Sequence, residues 1–148
     1  MPDLKLIALD AEDLAIIAAH LQDAVLRVDD MAYLKSEQRF AAVVNRFDWS
    51  EAAAKPERLR DEFVRRRAGV RIERVTGAQV HGLDLSKGDQ VLSLLTLTFE
   101  PGEAPQVQIL LSFAGGGAVR LQVECVEAAL TDLGAAWATK RRPEHAGD

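Results

Sequence analysis

The stretch AVRLQVE (residues 118–124) alternates Val119, Leu121 and Val123 with Arg120, Gln122 and Glu124. A period of two is what a strand with one dry and one wet face requires. The second half of the chain repeats the signal. QVQILLSF sets Val107, Ile109, Leu111 and Phe113 on one face, and QVLSLLTLTF (90–99) reads as a strand apolar on both faces in its middle. SKGD, EPGEAP and AGGG separate these runs with the Gly, Pro and Asp residues that turns need. Connections this short cannot make parallel crossovers, so the sheet they build is mainly antiparallel.

The first half is more mixed. LKLIAL (4–9) has the composition of a short strand, and Asp10 is a helix N-cap with Asp13 at the third helical position. Leu14, Ile17, Ala18 and Leu21 then recur at helical spacing, which predicts a helix over about 11–22 with His20 toward its edge. AVLRV, a turn at Asp29 and Asp30, MAYLK, and a second turn at SEQ lead into RFAAVVNRFDW as a hairpin. FAAVV is apolar on both faces, as in a central covered strand or one lining a closed barrel.

Residues 50–63 break the strand rhythm. Pro56 permits a short helix over about 57–64, and a polar excursion is the other reading. In GVRIERV the inward phase slips from Val70 and Ile72 to Val75, which a bulge near Glu73 would repair. A last helix is expected over about 125–133, where Val126, Ala129, Leu130 and Leu133 have helical spacing and Gly134 follows as a stop.

The expected fold class is therefore α+β. It consists of a curved, mainly antiparallel sheet or partly closed barrel, on a pleckstrin-homology-like plan in the latter case, with an N-terminal and a C-terminal helix. At 148 residues the chain has room for one substantial core, so the expectation is a single globular domain over 1–143 and a flexible tail over 144–148.

Composition excludes several classes. No apolar run approaches the roughly 20 residues that cross a bilayer. Asp3, Asp10, Glu12 and Asp13 stand where a signal peptide needs a basic flank, so the expected location is the cytoplasm, with no membrane association. Cys125 is the only cysteine, which rules out an intrachain disulfide. The histidines His20, His81 and His145 lack ligand spacing, and no metal or cofactor is expected. Cys125, set between Glu124 and Glu127, reads as a packed junction residue rather than a nucleophile. AGGGA (114–118) lacks the residues that complete a phosphate-binding loop and reads as a hairpin turn.

The sharpest chemical feature is RRRAGVRIERV (65–75). Between Lys55 and Arg74 eight basic residues face four acidic ones, inside a chain of net charge -5. Guanidinium groups fork onto carboxylate or phosphate oxygens, so Arg65, Arg66, Arg67, Arg71 and Arg74, joined by His81, are the candidate binding residues. The opposing reading is a solvated, internally paired face, because Arg66 on a strand points away from Arg65 and Arg67. A pI near 5.2 and the lack of stacking aromatics within the cluster argue against nucleic acid.

Four segments carry a family resemblance: LKLIALDAEDLAIIAAHLQDAVLRVDDMAYL, RFAAVVNRFDW, RRRAGVRIERVTGAQVHGLDL and AVRLQVECVEAALTDLGAAW. From Leu4 to about Pro143 the chain resembles an alphaproteobacterial family described as domain of unknown function 2948. The resemblance implies a bacterial cytoplasmic protein and assigns no catalytic or binding residue. The functional expectation is a non-enzymatic binding or adaptor module whose basic rim meets an acidic protein partner. The alternative is a small-molecule or phosphate-ligand domain, including an enzyme with an unrecognised site. Tyr33, Phe40, Phe47, Trp49 and Trp137 are expected mostly in the core, with any leftover apolar patch serving a homodimer.

Overall fold

The computed structural model describes residues 4–47, 64–101, 107–134 and 137–138. Strand β1 (Lys5–Ala8) leads into helix α1 (Ala11–Leu21), which Asp10 caps by accepting from the Asp13 amide at 2.8 Å. That hydrogen bond satisfies one of the four amides a helix start leaves without a partner. Leu14, Ile17 and Leu21 are buried as their spacing predicts, and Asp23 in a left-handed conformation (φ 65°) turns the chain back toward the sheet.

Strands β2 (Val25–Arg27) and β3 (Met31–Leu34) are separated by a 3-10 turn at Val28–Asp30, and a second such turn at Lys35–Glu37 leads into β4 (Arg39–Phe47). Then come β5 (Val64–Ile72), β6 (Val75–His81), β7 (Val91–Pro101), β8 (Val107–Phe113), β9 (Ala118–Val123), β10 (Ala128–Asp132) and β11 (Trp137–Ala138). The hydrogen-bonded path runs β1-β10-β5-β4-β2-β7-β8-β9-β6, with β3 also on β4 and β11 also on β5. Neighbours are antiparallel, as the short turns require. The path is open, ending at β1 and β6, so the mainly antiparallel sheet stands and it is not closed into a barrel.

Two features interrupt its regular pairing. Strand β7 pairs with β2 through Val91–Ser93 and with β8 from Leu94 onward, with a register shift between Leu94 and Thr96. Between β5 and β6 the chain turns a corner at Glu73 and Arg74, with Arg74 at φ 62°. That corner, rather than a bulge inside one strand, absorbs the phase slip, and Val70, Ile72 and Val75 all face the core. The β9–β10 corner lies against it: the Glu73 amide donates to the Glu127 carbonyl and the Glu124 amide to the Arg74 carbonyl.

The expected C-terminal helix is corrected. Residues 128–132 form β10, inserted between β1 and β5, and α1 is the one α-helix among the described residues. Ala128, Ala129 and Leu130 are all buried. A strand covered on both faces loses its alternation and mimics a short helical pattern, and tertiary pairing then overrides the propensity of alanine. Without that helix the pleckstrin-homology-like plan loses its closing element. The helix expected over 57–64 lies almost wholly outside the described residues.

The core gathers Leu14, Ile17 and Leu21 of α1 with Phe40, Ile72, Ile109, Leu111, Phe113 and Leu121 from the sheet. In β8 and β9 the alternation read from the sequence is the alternation of burial. Gly115 and Gly116 adopt φ of 94° and 102° at the β8–β9 hairpin, a conformation that favours glycine and explains AGGG as a turn.

Candidate functional site: the two faces of β5

Strand β5 divides its arginines by side. Its inward residues Ala68, Val70 and Ile72 oppose Val44, Ala42 and Phe40 of β4 across the core face. One step further along that face, Arg66 opposes Arg46, and both are 4% exposed. Asp132 of β10 reaches the same place because small Ala68 lies opposite it. Its carboxylate accepts Arg46 Nε and Nη2 at 2.9 Å each and the Leu4 amide at 2.8 Å. Burial pushes the Asp132 carboxyl up. Hydrogen bonds from Arg46 and Leu4, and the charges of Arg46 and Arg66, outweigh burial and hold it below the usual carboxylate range. This cluster ties the chain start, β4, β5 and β10 together at one end of the core.

Arg65, Arg67 and Arg71 fall on the outer face, with same-face neighbours about 7 Å apart along the strand. Arg65 is held: Nη1 donates to the carbonyls of Asp23 (3.3 Å) and Asn45 (3.4 Å), and its guanidinium lies 5.6 Å from the Phe47 ring centroid. Partial burial lowers its pKa, and the charge of Asp23 works against that. Arg71 shares Glu73 with Arg39, at 3.1 Å and 3.0 Å. Arg67 is exposed and makes no side-chain hydrogen bond or ion pair among the described residues. Opposite it on β4, the Asn45 Oδ1 is buried and accepts no hydrogen bond.

Between these groups the outer surface is low. A trough of about 290 Å³ is lined by Ala32, Ala41, Val43, Gly69 and Arg71, with Asp29 and Asp30 on the opposite wall. Gly69 leaves room for Leu133, whose Cδ1 would lie 3.5 Å from a Cβ placed there. The small side chains make a shallow floor with a basic side along β5 and an acidic side at the β2–β3 turn. Lys5 of β1 lies on the same face, since Lys5 pairs with Thr131 and Thr131 with Gly69.

The sequence-predicted residues thus separate into three groups. Arg65, Arg67 and Arg71 share the outer face of β5, spread along its length, and Arg66 belongs to the core cluster. Arg74 sits at the β5–β6 corner paired with Glu127 at 3.2 Å, and His81 ends β6 on the far side of that corner. Cys125 is exposed at the β9–β10 corner, not at a packed strand-to-helix junction. Among the described residues, no three His, Cys, Asp or Glu side chains are grouped to hold a metal ion. Nor is any helix long and apolar enough to cross a membrane.

Sequence reasoning missed Arg46, Asp132 and the trough. Arg46 was recoverable, since it continues the inward phase Phe40, Ala42, Val44; Asp132 was hidden by reading its strand as a helix. Gly69 inside a strand carried the signal of close approach.

No curated protein and no solved structure matches the chain. A family model does, over residues 4–145, and the chain therefore belongs to the family described as Protein of unknown function (DUF2948).

Proposed function

We propose that this chain is a cytoplasmic binding module that seats an acidic segment of a protein partner on the outer face of β4, β5 and β10. The observation that carries the reading is Arg67, a solvent-facing guanidinium without a partner among the described residues, on the same outer face of β5 as Gly69 and Arg71, which line an apolar-floored trough. A guanidinium already exposed and unpaired can fork onto a carboxylate without first breaking an internal ion pair. The shallow floor of Ala41, Val43 and Gly69 admits an extended backbone, and the acidic wall at Asp29 and Asp30 repels a carboxylate that arrives in the wrong orientation.

Small phosphate ligands are less well served. The trough is open and mostly apolar, and its one guanidinium lining group faces two carboxylates, whereas a phosphate pocket needs several convergent donors. The test is affinity capture from native lysate with wild type, Arg67→Glu/Arg71→Glu and, as a control of equal charge change, Arg74→Glu/Arg120→Glu. A partner lost by the first variant and retained by the second supports this face. A partner lost equally by both, or by neither, removes it.

A further inference from the structure

The two ends of the open sheet are protected to different degrees. At one end, β1 is four residues long, carries Lys5 and packs against α1. Short length, an edge lysine and a covering helix are the means by which an exposed strand is kept from pairing with another chain. At the other end β6 is seven residues long, VTGAQVH, and contains no Lys, Arg, Asp, Glu or Pro. Its start is occupied, because the Val75 amide donates to the Gln38 carbonyl at 2.9 Å. From Gly77 to His81 it pairs with β9 on one side, and among the described residues no strand pairs with it on the other. Gln79, Val80 and His81 are exposed, and Leu85 beyond them is 59% exposed.

From this we infer that β6 is a self-association edge, adding antiparallel to β6 of a second copy and joining two sheets across a two-fold axis. The second copy is the occupant that the chemistry favours. Two-fold antiparallel pairing brings a residue of this segment opposite another residue of the same segment. With no acid, lysine or arginine in it, no like-charge pair arises. The same neutrality gives an acidic or basic partner strand nothing to recognise. Val80 and Leu85 supply an apolar flank that pairing would cover. A five-residue edge buries less than the roughly 1,200 Å² of a standard stable interface, so the dimer is weak and concentration-dependent. This edge is separate from the basic face of β5.

The experiment is sedimentation velocity from about 5 µM to about 1 mM, with amide hydrogen exchange at the two extremes. The variants are Val80→Lys, Gln79→Lys and, as a control, Arg67→Glu. The expected result is a mass that rises toward the dimer with concentration, with outward-pointing amides of Gly77–His81 gaining protection in step. Either lysine variant should weaken association by at least about tenfold, by restoring the charge that edges normally carry. Gln79→Lys changes an exposed side chain, so it keeps the test open should Val80→Lys misfold. Arg67→Glu should dimerise as wild type does. A monomer throughout the range overturns the inference, and so does a dimer in which Gly77–His81 exchange equally fast at both extremes.

Discussion

The half of the sheet built on β4, β5 and β10 and the half built on β7, β8 and β9 face the same core with different chemistry. In the second half the inward residues are apolar: Leu94, Leu97, Ile109, Leu111, Phe113, Val119 and Leu121. Its ionic contact, Arg120 with Glu100 at 2.7 Å, stays on the outside, where the neutral Gln108 Oε1 also accepts from Arg120 at 2.6 Å. In the first half the inward face ends in Arg46, Arg66 and Asp132, while Arg65, Arg67 and Arg71 occupy the outer face. The contrast separates two uses of arginine on one strand. A buried guanidinium with a two-pronged carboxylate fixes register, because slipping β10 by one residue would turn Asp132 outward and leave Arg46 without its partner. An exposed one costs little to keep and remains available to a ligand.

The largest effect should come from breaking that buried pair. Asp132→Ala leaves Arg46 enclosed without its carboxylate and should destabilise the fold by about 3–5 kcal/mol, read from urea unfolding. A loss under about 1 kcal/mol would mean that the cluster is hydrated rather than buried. In the apolar half, Leu121→Ala removes a fully buried side chain and should cost about 2–4 kcal/mol in the same assay.

Acid should expose the difference between the halves without any truncation. The folded Asp132 carboxyl is held below its unfolded value of about 3.9. Its contribution is therefore present above that pH and is lost as pH falls through the folded value. Wild type should lose stability on acidification below about pH 4 with a component that Asp132→Asn lacks, measured as urea midpoints across that range. Parallel pH profiles for the two proteins would remove Asp132 from the account. The smallest effect belongs to Glu100→Gln, which breaks a half-exposed pair. It should change stability by less than about 1 kcal/mol, and by less still at high salt.

The same contrast explains what could be read in advance. Strands β8 and β9 obey simple alternation, and α1 carries its own cap in Asp10, so both were legible from the sequence. Strand β10 was not, because Ala128, Ala129 and Leu130 are covered on both sides and a run of that kind has no period to read. The arginine cluster was visible as composition, and the alternation of β5 already set Arg66 apart from Arg65 and Arg67. What the sequence could not supply was the partner strand. Asp132 lies 86 residues from Arg46, and only the β4-β5-β10 order brings them together. The trough was equally hidden, since Ala32, Ala41, Val43 and Gly69 are unremarkable until three strands are side by side.

The most direct test of this division is an amide chemical-shift titration of the full chain with a hexaglutamate peptide, in wild type and in Arg67→Glu. The account predicts shifts concentrated at Ala41, Val43, Arg67, Gly69 and Arg71, saturable and weakened at least about tenfold by Arg67→Glu, as expected when a charged contact is reversed. Shifts centred on Arg74, Arg120 or His81, or a titration that Arg67→Glu leaves unchanged, would contradict it.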